Sequence, residues 1–191
     1  MAAFEYRQAE EIRDTISRRN VRYLFLGKSA AILLGFPDTT QDADLFVEKT
    51  RENCENLVLA LIDLGFQLAA SEAEEIRRGN DFVQLKNGPF DLDLRFAPEG
   101  IERFDEAWSR HVDVAGFPVC DIDDVIRSKE AANRQKDRES LPRLLQFRDW
   151  LRHAIPLESF AATLRIQIRR TRRESDRETM WTFEALRPTI S

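Results

Sequence analysis

The chain has 191 residues, is 42% hydrophobic and 33% charged, and carries a net charge of −5. That length holds one domain with a substantial core, plus at most a small appendage. The charge balance is opposite to the basic excess of typical nucleic-acid binders, and no apolar run reaches the roughly 18 residues of a membrane span. Two histidines and two cysteines far apart, Cys54 and Cys120, argue against a zinc site and for free thiols. With no signal-peptide layout at the start, a cytoplasmic location is expected.

In chain order, Phe4, Ala9, Ile12 and Ile16 share one face of an amphipathic helix over residues 4–19. Residues 21–26 are an apolar strand that Gly27 breaks. The small and apolar residues from Ser29 to Leu34 form a short helix, ended by Gly35 and Pro37. A second strand runs through Asp42, Asp44 and Val47. Residues 51–64 are a helix with Thr50 as N-cap, Leu57, Val58, Leu61 and Leu64 as its apolar stripe and Gly65 as its stop. A strand is expected over 67–70 and a charged loop over 71–79. Residues 81–86 and 90–96 read as a hairpin about Asn87-Gly88. On its second strand Asp91, Asp93 and Arg95 share one face, and Phe90, Leu92, Leu94 and Phe96 the other.

A short helix over 101–110 carries Ile101, Phe104 and Trp108 at core spacing. Residues 112–114 and 117–120 flank Ala115-Gly116 as a hairpin. Asp121 or Asp123 caps the next helix, on which Lys129 and Lys136 lie two turns apart, and a further helix spans about 138–153. Pro156 marks a boundary between a domain over 1–155 and a helical extension over 156–191. That extension has 7 Arg against 5 acids. Its arginines suit RNA or an acidic partner, or else a solvated helix laced with ion pairs. Trp181 and Phe183 would pack it onto the domain or onto a second copy, as a homodimer.

Asp42 and Asp44 carry the chemistry. Side chains at i and i+2 of a strand point the same way, so two carboxylates lie together and repel unless a cation joins them. Mg2+ suits such oxygen ligands and is commonly shared with substrate phosphates. Gly27 and Ser29, at a helix start, offer N–H groups and a hydroxyl to an anion. A third carboxylate is available on the strand holding Asp91 and Asp93.

The string Gly27-x-Ser29-Ala30, Gly35-x-Pro37-x-Thr39-Thr40-x-Asp42-x-Asp44-Leu45-Phe46-Val47 resembles the DNA polymerase β-like nucleotidyltransferase superfamily, above all its small bacterial minimal and abortive-infection-type members. Ser128-Lys129-Glu130-Ala131-Ala132-Asn133-Arg134-Gln135-Lys136-Asp137 is similar to a later helix of that group, and the resemblance covers roughly residues 20–150. Two positions depart from the pattern. Lys28 stands where the group usually has Gly or Ser, and Asp38 where many members carry arginine.

The resemblance implies an α/β (α+β) fold: a mixed twisted sheet with packed helices and a helical C-terminal part. It implies an enzyme that moves a nucleoside monophosphate from an NTP to a hydroxyl acceptor with Mg2+. The acceptor would be RNA such as a tRNA 3′ end, a protein or a small molecule, in a toxin–antitoxin setting with a cognate protein partner. Asp42, Asp44 and Asp93 would be catalytic and bind metal, with Asp91 the alternative third acid, because the following Gly100 and helix favour Asp93. Gly27, Lys28, Ser29, Thr40, Lys129 and Lys136 would hold the nucleotide. Two other readings stay open: a catalytically silent module that binds a partner, and an RNA-binding adaptor acting through the arginine-rich tail.

Overall fold

The structure is a computed structural model that describes residues 4–154. Its elements are α1 (Tyr6–Arg18), β1 (Tyr23–Leu26), α2 (Gly27–Leu33), β2 (Asp42–Val47), α3 (Arg51–Asp63), α4 (Ala70–Arg78), β3 (Phe82–Leu85), β4 (Asp91–Arg95), α5 (Phe104–Arg110), β5 (Val112–Val114), β6 (Phe117–Val119), α6 (Ile122–Ala132) and α7 (Gln135–Ala154). The fold is mixed α/β, as expected. The six strands form one sheet in the order β3-β4-β2-β1-β6-β5. β1 runs antiparallel to β2 and parallel to β6, while β2 and β4 are parallel. The outer pairs, β3 with β4 and β5 with β6, are antiparallel hairpins.

Alternation along the strands separates core from site. Ala43, Leu45 and Val47 of β2 and Leu92 and Leu94 of β4 are fully buried on one face. Asp42, Asp44, Asp93 and Arg95 point to the other. α1 packs on α3 and α3 on α4, while α2 packs on α6 and α6 on α7. Tyr6 of α1 meets Phe117 edge-on, and Phe117 meets Phe25 of β1 in the same way, so α1 is pinned by rings.

Local chemistry fixes the ends. The Thr50 hydroxyl accepts from the Asn53 N–H at 3.2 Å, which caps α3 as expected. Asn53 itself is buried and clamps α3 to the sheet: its amide accepts from the Arg22 N–H and donates to the carbonyls of Arg22 and Glu48. Ala115 and Gly116 both have positive φ, 53° and 84°, the conformation a two-residue hairpin turn requires.

Several expectations are corrected. Residues 67–70 are not a strand, and 71–79 are not a loop, because α4 occupies 70–78. Its charges are the outer face of an amphipathic helix whose Ala73 and Ile76 are buried. Asn87-Gly88 does not form a two-residue turn. The β3–β4 ladder closes at Leu85↔Leu92, so both residues sit in a longer connection. Gly88 is there for space, since a Cβ would overlap the ring of Phe66. The helix expected from 101 starts at Phe104, with Ile101 buried in the loop before it.

Lys129 and Lys136 do not share a helix. α6 stops at Asn133, which adopts φ 47°, and Lys136 lies in the first turn of α7. No described helix is long and apolar enough to cross a membrane. The boundary at Pro156, the arginine-rich extension, Trp181 and Phe183 lie outside the described residues.

Candidate active site

The parallel pairing of β2 and β4 sets the acids side by side. Asp42 is level with Asp91, and Asp44 with Asp93. Asp42, Asp44 and Asp93 line one cavity of about 510 Å3, and Asp91 lies outside its lining. The same cavity is lined by Gly27, Lys28 and Thr40 before the sheet edge, and by Lys129, Arg134, Lys136 and Asp137 from the α6–α7 corner. Segments of the chain far apart in sequence therefore build an acidic bank and a basic bank on one hollow.

Each carboxylate has its own partner. Thr40, itself buried, donates its hydroxyl to Asp42 Oδ1 at 2.8 Å. Asp93 accepts from the Gln84 amide at 2.9 Å across the β3–β4 ladder. Asp44 Oδ1 accepts from Arg95 Nε at 3.3 Å. Among the described residues no three His, Cys, Asp or Glu side chains converge tightly enough to form a metal cage.

Electrostatics still mark the acids as short of positive charge. Burial pushes the Asp44 carboxyl up to about 6, with Asp42 and Asp93 adding like charge and Arg95 opposing the rise. Burial raises Asp93 as well, with Asp42 adding to the shift, against the Gln84 hydrogen bond and the charges of Arg95 and Lys136.

Gly27 has φ +62°, and a Cβ on it would overlap Oδ2 of Asp44. The glycine thus makes room for an acid as well as for a turn. Ser29 is not in the cavity lining. Its hydroxyl is buried, donates to the Leu26 carbonyl at 2.9 Å and accepts from the Asp44 N–H at 3.2 Å. It therefore joins α2 to β2 and sets the position of Asp44.

The two departures from the resembled pattern pair with each other. Lys28 Nζ is 3.6 Å from Asp38 Oδ2, and Arg143 of α7 reaches the same oxygen at 3.3 Å. On the basic bank, Asp137 is fully buried and takes Lys129 Nζ at 3.0 Å and Arg134 Nε at 2.7 Å. Burial opposes ionisation of Asp137, yet the two cations hold its carboxyl below the usual range. Lys136 has no carboxylate partner within salt-bridge distance among the described residues.

Sequence reasoning missed Arg95, Gln84, Arg134 and Asp137 as parts of this hollow. Arg95 was legible as a member of the Asp91-x-Asp93-x-Arg95 face. Gln84 becomes visible only with the strand register. No protein-family model matches the chain, and no curated protein does either.

Proposed function

We propose that this cavity binds a nucleoside triphosphate with Mg2+ and transfers its nucleoside monophosphate to a hydroxyl acceptor, as in the DNA polymerase β-like nucleotidyltransferases that the sequence resembles. One observation carries the reading: Asp42, Asp44 and Asp93 share a single cavity with Lys129, Arg134 and Lys136. A triphosphate needs the cations, and the metal it brings needs the carboxylates.

The donor set suits a hard divalent cation, because it is all oxygen and its buried acids are only partly compensated. Asp42, Asp44 and Asp93 would hold Mg2+, which when bound polarises the phosphoryl group and offsets charge on the leaving pyrophosphate. The remaining steps belong to the chain. Lys136, without a salt bridge among the described residues, meets the triphosphate. Lys129 and Arg134, fixed by Asp137, form a rigid positive edge beside it. Asp93 takes the proton as the acceptor oxygen attacks the α-phosphorus and pyrophosphate leaves. The acceptor class is RNA, protein or a small hydroxylated molecule, and a cognate protein partner belongs to the same reading.

The test offers each α-labelled NTP with Mg2+ to total RNA, to the protein itself and to a panel of aminoglycosides. Label should enter one acceptor class and disappear with Asp42→Ala, whose fold is checked by its melting curve. Transfer that survives Asp42→Ala would overturn the assignment. A protein that binds no nucleotide would favour the silent module instead.

A further inference from the structure

The acid set already contains a cation of its own. Arg95 leaves β4 two residues after Asp93, on the same face. Its Nε is 3.3 Å from Asp44 Oδ1, and its Nη2 is 3.8 Å from Asp93 Oδ2. The guanidinium thus spans the two carboxylates that adjacent strands set level with each other. Among the described residues, the other side chains hydrogen-bonded to the three acids, Thr40 and Gln84, are neutral.

Arg95 also has a second set of contacts leading outward. Its Nη1 is 4.0 Å from Glu99 Oε2, and the guanidinium carbon lies 4.8 Å from the centroid of the Phe82 ring. Both Glu99 and Phe82 are exposed. A planar guanidinium can keep its stacking on the ring while it exchanges one carboxylate for another.

We propose that Arg95 is a resident counter-ion which a divalent cation must displace from between Asp44 and Asp93, and that Glu99 and Phe82 receive it when it leaves. This inference rests on the reading of the cavity as a cation and nucleotide site. The consequence is a site tuned to bind cation weakly by itself. Entry of the cation breaks the Arg95 bridge, and that cost is recovered only when further charge arrives with the nucleotide. Arg95 is a positioning residue here, since it acts through the acids.

Mn2+ is the probe, followed by the magnetic resonance signal of the free ion, with the full chain and no nucleotide. Arg95→Gln should bind Mn2+ about tenfold more tightly than the unsubstituted chain, a factor equivalent to about 1.4 kcal/mol. Arg95→Lys, which keeps the charge but cannot span both carboxylates, should fall between the two. It carries the comparison if Arg95→Gln does not fold. Lys136→Gln removes a cation from the same cavity without touching the bridge, and should change Mn2+ affinity less than Arg95→Gln does.

Equal effects of Arg95→Gln and Lys136→Gln would reduce Arg95 to general charge and overturn the displacement. Unchanged or weaker binding in folded Arg95 variants would make it a structural support only. In either case Mn2+ binding that is lost in Asp42→Ala would leave the proposed function standing. Absence of Mn2+ binding in every protein, Arg95→Gln included, would overturn the displacement, and the transfer assay with labelled NTP then decides the proposed function by itself.

Discussion

At the scale of single residues, Gly27 and Asp44 are one device. The left-handed φ of +62° at Gly27 costs an alanine about 1–2 kcal/mol by itself. The added methyl would also push away the Asp44 carboxylate. Gly27→Ala should therefore destabilise the chain by about 2–3 kcal/mol in urea unfolding, the backbone term plus a side-chain clash. In an Asp44→Ala background only the backbone part should remain, leaving a coupling on the order of 1 kcal/mol. Additive effects of the two substitutions would show that the carboxylate moves aside freely. The glycine, the small residues after it and the two aspartates were all legible in the sequence. That Gly27 serves Asp44 was not, because the contact joins residues whose closeness depends on how α2 sits on β2. The Lys28–Asp38 pair was hidden for the same reason: each residue read singly is a departure, and only the loop geometry shows that they compensate.

At the scale of elements, periodicity worked wherever the apolar pattern was continuous. It gave α1, α3, the β2 and β4 faces and the short β5–β6 hairpin. It failed at α4, where nine residues bury only Ala73 and Ile76, too few to stand out among charges. It also failed at the α6–α7 corner, where Asn133 in a left-handed conformation divides one charged helical run into two. The corner is held by Asp137, fully buried between Lys129 of α6 and Arg134 of the connection. Asp137→Asn keeps the shape and removes the charge, leaving two cations without their anion. It should cost about 3 kcal/mol at neutral pH. The sign with pH follows from the depressed carboxyl: its stabilisation is present above the unfolded value of about 3.9 and is lost as pH falls through the folded one. Denaturant melts of the two proteins should therefore converge in acid. Curves that stay parallel down to pH 3 would mean that the ion pairs do not hold the corner.

For the whole molecule, the site is an agreement between two halves. Residues 27–47 and 91–95 supply the acids and residues 129–137 the cations, and only the sheet order and the α2–α6 packing bring them to one cavity. The sequence could name the acids because strand alternation is local. It could not tell which lysine is salt-bridged, because the pairing of Lys129 with Asp137 depends on the turn at Asn133. The same arrangement makes stability depend on pH in a direction opposite to that of Asp137. The Asp44 carboxyl stands near 6 when folded and near 3.9 when unfolded, so between those values the folded chain holds more protons. Stability from this group is therefore greatest below about pH 4 and falls as pH rises through 6. Asp93, also raised, adds in the same sense. Relative to Asp44→Asn, the unsubstituted chain should lose on the order of 2 kcal/mol between pH 4 and pH 7, read from urea midpoints at each pH. A bound divalent cation favours the ionised carboxyl, so millimolar Mg2+ should return stability at pH 7 and have little effect at pH 4. If the difference between the two proteins is flat with pH, Asp44 is not the uncompensated charge of the fold. If it slopes as expected but Mg2+ leaves it unchanged, the buried charge is real and Mg2+ without nucleotide does not displace Arg95 from it.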